Sequence, residues 1–255
     1  MLAVLAFGWR FSIEVVAGVA AGVANGVAGG GSFVTFPTLL ALGVPALTAN
    51  ISTTVGVVPS SLGALGVFGR QLRDHRDLLP RLAGPTVAGA LLGSLLLLAG
   101  SPGTFRAVVP WLIGAGTALF AGAPLLTRRL AHVSHDHPGR RAGLYAGVFA
   151  VSVYGGYFGA GIGIMLLAVL GLSLPYQVKE VQGLRNAIAM VVNAVAAVVF
   201  AIHGHLDGEA VVALWIGTLV GGWLGATLVS RLSPLAVRVV VVAIGAVTTV
   251  KLALG

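Results

Sequence analysis

The sequence predicts an all-α polytopic membrane protein made of two inverted repeats, each a glycine-broken re-entrant hairpin followed by three transmembrane helices. The first observation is composition: 57% of the 255 residues are hydrophobic and 9% are charged, whereas soluble domains carry about 25% charged residues. The second is that long apolar runs alternate with short basic connections. The third is that clusters of glycine interrupt two of the apolar runs, at corresponding places in the two halves.

Charge and cysteine content exclude several other classes of protein. The chain has no cysteine, which excludes disulfides, thiolate metal centres and cysteine nucleophiles. The net charge is +8, but the basic residues stand in short clusters between apolar runs, as in cytoplasmic loops. No long basic face interleaved with aromatic residues predicts a nucleic-acid partner. Residues 1–9 lack a basic region and a cleavage site, so we predict no removable signal peptide. The expected environment is the lipid bilayer.

Six apolar runs are predicted to be single transmembrane helices. A helix of about 20 apolar residues crosses the roughly 30 Å hydrocarbon core of a bilayer. Prolines and charged residues punctuate the runs, which sets their approximate ends. The predicted helices cover residues 46–69, 82–99, 107–126, 176–202, 210–229 and 235–254.

Two further apolar segments are not predicted to be single helices. Residues 13–43 are interrupted at 29–32 and residues 144–172 at 155–163, in both cases by glycine clusters. Each glycine costs about 1 kcal/mol relative to alanine inside a helix, and bare backbone cannot face lipid. Each segment is longer than one crossing needs and too short for two. We therefore predict hairpins of two half-helices that enter and leave on the same side.

The two halves align without a gap at an offset of 130 residues. The aligned landmarks are Gly26 with Gly156, Gly29 with Gly159, Gly31 with Gly161 and Pro45 with Pro175. In both halves a broken segment precedes one long helix and two ordinary ones. The predicted organisation is one integral membrane domain with a first repeat at 1–126, a cytoplasmic linker at 127–141 and a second repeat at 142–255.

The distribution of Lys and Arg predicts the orientation. With two hairpins each repeat crosses three times, so the second repeat is inverted and 11 of the 15 basic residues fall on the cytoplasmic side, as the positive-inside rule requires. If both broken segments crossed fully, ten would lie inside and four outside. Charge therefore leaves both topologies open, and segment length favours the hairpins.

Inverted repeats with discontinuous helices place their binding sites near the bilayer midplane. The N-terminal ends of half-helices direct free N–H groups and positive dipole ends to that point, which suits an anion. Glycine lets the backbone approach a ligand closely. The break residues predicted to bind substrate are Gly29, Gly30, Gly31, Ser32, Gly159 and Gly161.

Arg185 is the one basic residue predicted deep in the membrane, nine residues or about 14 Å into its helix. A charge at that depth costs at least about 2.5–3.5 kcal/mol and indicates a functional site. We predict that it contacts an anion; the alternative is an arginine that snorkels or bonds carbonyls structurally. The neutral donors predicted beside it are Asn186, Asn193, Asn25, Asn50, Ser52, Thr53 and Thr54. The alternatives for these side chains are bonds to their own helix or between helices.

No catalytic residue, metal site or cofactor is predicted. The hydrolase, zincin and ATPase signatures are absent from the sequence. The cluster His132, His135, Asp136 and His137 is interpreted as part of a solvated linker rather than a metal site. No carboxylate is predicted at mid-membrane beside a histidine, so the residues do not indicate proton coupling, although Glu180 near the hairpin mouth is a candidate.

Five motifs carry a resemblance to a known family. They are GVAGGGSFVTFPTLLALGVP at 26–45, ANISTT at 49–54, GGYFGAG at 155–161, KEVQGLRN at 179–186 followed by Asn193, and GGWLGA at 221–226 followed by Arg231. In this order they resemble the two repeats of the TauE/SafE family, the sulfite-exporter-like and toluenesulfonate-uptake permeases. The resemblance extends from about residue 12 to residue 254.

The resemblance implies a permease of the bacterial inner membrane that moves sulfite, an organosulfonate or a related anion. It implies that the glycine hairpins, Thr53, Thr54, Arg185 and Asn186 line the substrate path; Thr54 stands where the family pattern has a serine. We predict export by alternating access, since an inside-negative potential favours anion exit by about 2.3 kcal/mol per 100 mV. The alternatives are an anion channel and a non-transporting membrane scaffold or assembly protein. Association of identical chains is left open.

Overall fold

The computed structural model describes residues 2–61, 77–130, 140–174, 182–228 and 234–254. Every regular element in these ranges is an α-helix, which confirms the all-α prediction for them. The helices with two described ends are α1 Leu2–Ala28, α2 Ser32–Ala41, α3 Ala46–Gly56, α4 Leu78–Ala99, α5 Pro102–Leu130, α6 Arg140–Tyr157, α7 Ile162–Ser173, α8 Gln182–His203, α9 Gly208–Leu228 and α10 Pro234–Leu254.

Five of the described helices are long and apolar enough to cross a bilayer. They are α4, the first 25 residues of α5, α8, the first 18 residues of α9, and α10 from Leu235 onward. All five coincide with predicted transmembrane runs to within about six residues. Helix α5 continues to Leu130 and α6 begins at Arg140, so both extend into the predicted linker. The histidine cluster at 132–137 and Glu180 lie outside the described residues.

The first broken segment begins earlier than predicted, at Leu2 rather than at residue 13. Its first helix accommodates charge by pairing: the Arg10 Nε donates to Glu14 Oε1 at 3.1 Å, and Arg10 Nη2 donates to Asp207 in the α8–α9 connection. Glu14 is fully buried. Arg10 pairs with Glu14 one helical turn later and with Asp207 of the α8–α9 connection. Because these opposite charges are paired, the helix continues through charged residues that suggest a helix end in the sequence.

The predicted helix at 46–69 is not continuous. Helix α3 ends at Gly56, Val57 forms a turn, and helical backbone resumes at residue 58. The cause is Pro59, which has no N–H for the carbonyl four residues earlier. The N–H of Ser60 bonds to the Val57 carbonyl instead of the Gly56 carbonyl. The kink therefore leaves the carbonyls of residues 55 and 56 without their helical donors.

Side chains of α9 replace those donors. Trp215 Nε1 donates to the carbonyl of residue 55 at 2.9 Å, and Thr218 Oγ1 donates to the carbonyl of Gly56 at 2.9 Å. Because an unpaired buried acceptor costs about 1–3 kcal/mol, these bonds tie α9 to the kink.

We expect Thr218→Val to lower stability by about 1–3 kcal/mol, since it leaves the buried Gly56 carbonyl unpaired. The measurement is the thermal unfolding midpoint of the purified protein in detergent. Thr227→Val is the matched control, because that hydroxyl is exposed and bonds only its own helix. Equal midpoints for the two variants would contradict the assignment.

Both predicted glycine breaks are present. The first separates α1 from α2 and the second separates α6 from α7. Gly29, Gly159 and Gly161 have φ values of 75°, 78° and 80°, which lie in the left-handed region that side chains with a Cβ rarely adopt. The chain therefore turns at these three residues because glycine readily adopts the left-handed conformation.

The second break folds the chain back on itself. Ile162, the first residue of α7, packs on Gly155 of α6, and Val169 packs on Gly147. Positions later in α7 thus meet positions earlier in α6, so α7 runs antiparallel to α6. The first break also turns back, because Gly31 lies against the carbonyl of Ala21, which a straight helix would place about 15 Å away.

Helices from opposite halves of the sequence form the closest packing. Helix α1 packs along α9: Gly18 lies against Gly217, and Gly22 lies against Gly222. A Cβ built on Gly22 would be 2.5 Å from the backbone nitrogen of Gly222. Small residues of this kind let membrane helices approach at the backbone. Because the contacts advance together along both chains, α1 and α9 are parallel.

Helices α4 and α6 pack in the same manner. Gly89 lies against Phe149, and a Cβ built on Gly93 would be 2.0 Å from the carbonyl oxygen of Val153. This pair is also parallel. Several other helix contacts occur in matching sets: α1–α2 and α6–α7, α2–α10 and α7–α5, and α3–α9 and α8–α4. The contact between α2 and α3 also has a counterpart, between α7 and α8.

Candidate functional site

The N-terminal ends of the two return helices, α2 and α7, lie side by side. A Cβ built on Gly29 would be 3.1 Å from the Cα of Gly163, and one built on Gly161 would be 3.3 Å from the ring of Phe33. Phe33 also packs edge-to-face on Phe120 of α5. The breaks therefore approach each other at the backbone, where Gly29 lies against Gly163.

A cavity of about 40 Å³ lies at this junction. At roughly 10–15 Å³ per water position, it has room for about three water-sized groups. Its wall is mostly small and polar, and none of its side chains carries a formal charge. The lining residues are Asn25, Gly29, Ser60, Ser61, Ile162, Gly163, Asn186, Ala189 and Asn193.

Asn25 fixes the geometry of the first break. Its Oδ1 accepts the N–H of Gly31 at 2.7 Å, and its Nδ2 donates to Ser60 Oγ at 3.1 Å. Ser60 Oγ in turn donates to the Val57 carbonyl at 2.6 Å. One chain of hydrogen bonds thus joins α1, the start of α2 and the α3 kink, and it sets the shape of one cavity wall.

The opposite wall offers free hydrogen-bond donors. The carboxamide of Asn193 bonds to no other described residue, and the N–H of Gly163 likewise has no acceptor among the described residues. This N–H belongs to the first turn of α7, where the helix dipole places partial positive charge. Gly161, a predicted site residue, precedes α7 and does not line the cavity. The α7 side of the cavity is therefore suited to an anion, because it has both free hydrogen-bond donors and the positive end of a helix dipole.

Arg185 lies directly behind this wall. Its side chain is 3% exposed, and Nε and Nη2 donate to Asn186 Oδ1 at 3.2 and 2.9 Å. No carboxylate of the described residues lies within ion-pair distance of it. Asn186 Nδ2 is buried without a partner. The guanidinium therefore does not line the cavity; it holds the Asn186 carboxamide that does.

The four polar residues predicted on α3 are buried but lie outside the cavity lining. Ser52 Oγ accepts the N–H of Asp207 at 2.9 Å, and Thr54 Oγ1 donates to the Asn50 carbonyl at 3.0 Å. Asn50 Nδ2 donates to the carbonyl of Tyr157 at the end of α6, at 3.0 Å. Thr53 Oγ1 has no hydrogen-bond partner in the part of the chain that the structure describes. Ser52 and Thr54 thus make structural bonds, the alternative given for them above.

The remaining predicted break residues shape the turns without lining the cavity. A Cβ on Gly30 would be 2.6 Å from the Phe120 ring, and one on Gly31 would be 2.6 Å from the Ala21 carbonyl. Gly159 supplies a left-handed turn, and Ser32 is the half-buried first residue of α2. Within the described residues, no group of three His, Asp or Glu side chains is arranged to hold a metal ion.

Five lining residues were not predicted: Ser60, Ser61, Ile162, Gly163 and Ala189. A signal existed for two of them. Ser60 follows Pro59 by one residue, and a proline inside an apolar helix indicates a kink that frees polar backbone. Gly163 closes the second glycine cluster. Ile162 and Ala189 carry no polar signal, and only the packing of α7 and α8 brings them to the cavity.

Comparisons with known proteins identify the family of the chain. The family model described as sulfite exporter TauE/SafE matches residues 15–252. A curated protein of Haemophilus influenzae, described as a probable membrane transporter protein, is 28% identical over 235 residues, which cover 88% of this chain and 87% of the relative. The match runs through both glycine breaks and every described transmembrane helix. The chain is therefore a multi-pass membrane protein that belongs to the TauE/SafE family of membrane transporters.

Proposed function

We propose that this protein is a permease of the plasma membrane that exports a small sulfur-containing anion by alternating access and performs no chemistry on it. The observation that carries the proposal is the cavity where Gly29 of the first break meets the N-terminal end of α7, with Asn25, Asn186 and Asn193 in its wall. Helix N-termini with free N–H groups bind anions, and a site where two broken helices meet is typical of transporters.

The electrostatics favour an anion over a neutral solute. Arg185 places a buried positive charge one carboxamide away from the cavity, and no described acid neutralises it. A buried charge without a partner is costly. A bound anion would offset that cost, while the neutral amides of the wall would supply hydrogen bonds to its oxygens.

The size of the cavity favours sulfite within this class. A cavity with room for a few water-sized groups suits a compact oxyanion such as sulfite, which has one sulfur and three oxygen atoms. An organosulfonate has the same three oxygens and an organic tail besides, so its tail would need a wider conformation than this one. The lining also contains Ile162 and Ala189, against which a short tail could pack.

We propose that the two halves are inverted repeats. The supporting observations are the matching sets of helix contacts and the directions of the helices. Helix α1 is parallel to α9 and α4 is parallel to α6. Two hairpins with three crossings per half require this arrangement. The side bearing Arg140 would be cytoplasmic, and the side bearing Asp207 would face outward.

The moving units proposed here differ from the two sequence halves. Backbone-level glycine contacts join α1 to α9 and α4 to α6, and each contact links one half to the other. Such close packing resists sliding. We propose that one body contains α1, α3 and α9, the other contains α4, α6 and α8, and the substrate cavity opens as the bodies rock.

We expect Asn193→Ala to lower saturable sulfite efflux from proteoliposomes by about tenfold to a hundredfold, since a hydrogen bond to a charged group contributes about 1.5–3 kcal/mol. The control is Val198→Ala, a change of similar size on the lipid-exposed face of the same helix, which should leave efflux unchanged.

Three results would contradict the proposal. Normal efflux in Asn193→Ala would remove the cavity as the substrate site. Flux that does not saturate with sulfite, and exceeds conformational turnover, would indicate a channel. Absence of sulfite and sulfonate flux in the unaltered protein would favour the scaffold alternative.

A further inference from the structure

The second break has a polar surface that the anion cavity does not use. It is formed where the C-terminal end of α6 meets α3. Asn50 Nδ2 donates to the carbonyl of Tyr157, the last residue of α6, at 3.0 Å. This bond brings one face of α3 against the end of α6 in the interior of the protein.

Two side-chain oxygens on that face have no hydrogen-bond partner among the described residues. They are Asn50 Oδ1 and Thr53 Oγ1, and each residue is 1% exposed. Residues three apart lie on the same face of a helix. Thr53 therefore follows Asn50 along the side of α3 that meets α6. A buried polar atom without a partner costs about 1–3 kcal/mol, so two together require an explanation.

The end of α6 adds backbone oxygens. The Tyr154 carbonyl accepts the N–H groups of Phe158 and Gly159. The carbonyls of Gly155 and Gly156 accept none from the described residues. A helix C-terminus also carries partial negative charge. The two unpaired side-chain oxygens of α3 thus lie beside the negative end of a helix, which is the reverse of the anion cavity.

We propose that this surface, defined by Asn50 Oδ1 and Thr53 Oγ1 beside the Tyr157 carbonyl at the end of α6, is a binding site for a monovalent cation of the Na⁺ class. Hard cations take oxygen ligands, and half-helix C-terminal ends with unwound carbonyls coordinate Na⁺ in transporters built from broken helices. All the oxygens named are neutral, which favours a single positive charge over a divalent ion.

The inference rests on the proposed transport function and deepens it by naming a coupling ion. Asn50 and Thr53 were expected from sequence to donate hydrogen bonds to an anion. In the structure the unpaired atom of Asn50 is an acceptor, because Oδ1 is free while Nδ2 is engaged. Inward passage of Na⁺ at this site would supply free energy for moving the anion outward.

The test is Na⁺ binding to the purified full-length protein without any anion substrate. We expect the unfolding midpoint to rise with the logarithm of Na⁺ concentration and not with choline at equal ionic strength, because a ligand that binds only the folded state stabilises it in that way. An identical midpoint in Na⁺ and choline would overturn the proposal, whatever any variant does.

Three variants locate the site. Thr53→Val removes the unpaired oxygen, so it should fold as well as the unaltered protein in choline and need at least tenfold more Na⁺ for the same shift. Thr53→Ser retains the oxygen and should respond normally. Thr86→Val is the matched control, since Thr86 on α4 is equally buried and its hydroxyl equally unpaired.

Equal Na⁺ responses in Thr53→Val and Thr86→Val would overturn the assignment. If Thr53→Val fails to fold, Thr53→Ala gives the same comparison. Because binding is measured without anion, the two proposals fail separately. Specific Na⁺ stabilisation with no sulfite flux would contradict sulfite as the substrate and support the cation site. Sulfite flux without Na⁺ stabilisation would support sulfite as the substrate and contradict the cation site.

Discussion

Replacing Arg185 by alanine is expected to lower sulfite flux about a hundredfold while the protein remains folded. If one carboxamide separates the guanidinium from the anion, by about 6 Å, their attraction at an effective dielectric constant of about 20 is about 3 kcal/mol. The change would also release Asn186, whose Oδ1 accepts both hydrogen bonds from Arg185. Charge and positioning would be lost together.

Two further variants separate those contributions. Arg185→Lys keeps the charge but lacks the planar fork that donates twice to one oxygen, so its flux should fall between the alanine variant and the unaltered protein. Arg106→Ala removes an exposed arginine of α5 and should have no effect on saturable flux. Unchanged sulfite flux and affinity in Arg185→Ala would show that the guanidinium is structural, as an arginine buried only for packing would be.

The second large effect is expected at the interface of α1 and α9. A Cβ at residue 221 would lie 2.1 Å from the carbonyl oxygen of Val19, so Gly221→Ala must push two backbones apart. Overpacking costs about 1–3 kcal/mol where side chains can adjust, and backbone adjusts less readily. We expect a lower unfolding midpoint and a smaller folded fraction in size-exclusion chromatography.

The control for this variant has the opposite expected sign. Gly122 lies inside α5, and nothing stands within 4 Å of where its Cβ would be. Gly122→Ala should be neutral or stabilising, because alanine is favoured over glycine in a helix by up to about 1 kcal/mol. If both variants lowered the midpoint equally, the close packing of α1 on α9 would be contradicted.

Much of the fold was predictable because its signals are local. Apolar length indicated the crossing helices, and the glycine clusters indicated the breaks because the left-handed conformation of Gly29 and Gly161 depends on those residues alone. Two predicted helix boundaries were wrong, and both differences have local causes. Pro59 ends α3 early, and the pairing of Arg10 with Glu14 carries α1 through a charged stretch.

The sequence predicted the chemical character of the candidate site better than it predicted which residues line it. Asn25, Asn186 and Asn193 could be singled out because carboxamides are scarce in an apolar chain, and all three line the cavity. The polar residues of α3 looked equivalent in sequence. Their neighbours distinguish them: Ser52 faces Asp207, and Asn50 faces the end of α6. Such contacts join residues more than 100 positions apart.

The amino-acid sequence by itself determined that this chain is helical, lies in a bilayer, breaks its helices at two glycine clusters and belongs to a transporter family. Composition, local backbone preference and motif order suffice for these properties. Only the tertiary structure decided that α1 pairs with α9, that the Arg185 guanidinium bonds the Asn186 carboxamide, and that Asn50 bonds the end of α6 while Asn193 lines a cavity. These properties depend on which helix faces pack together. In an apolar chain most helix faces are chemically alike, so the sequence does not show which polar atoms come within hydrogen-bond distance of one another.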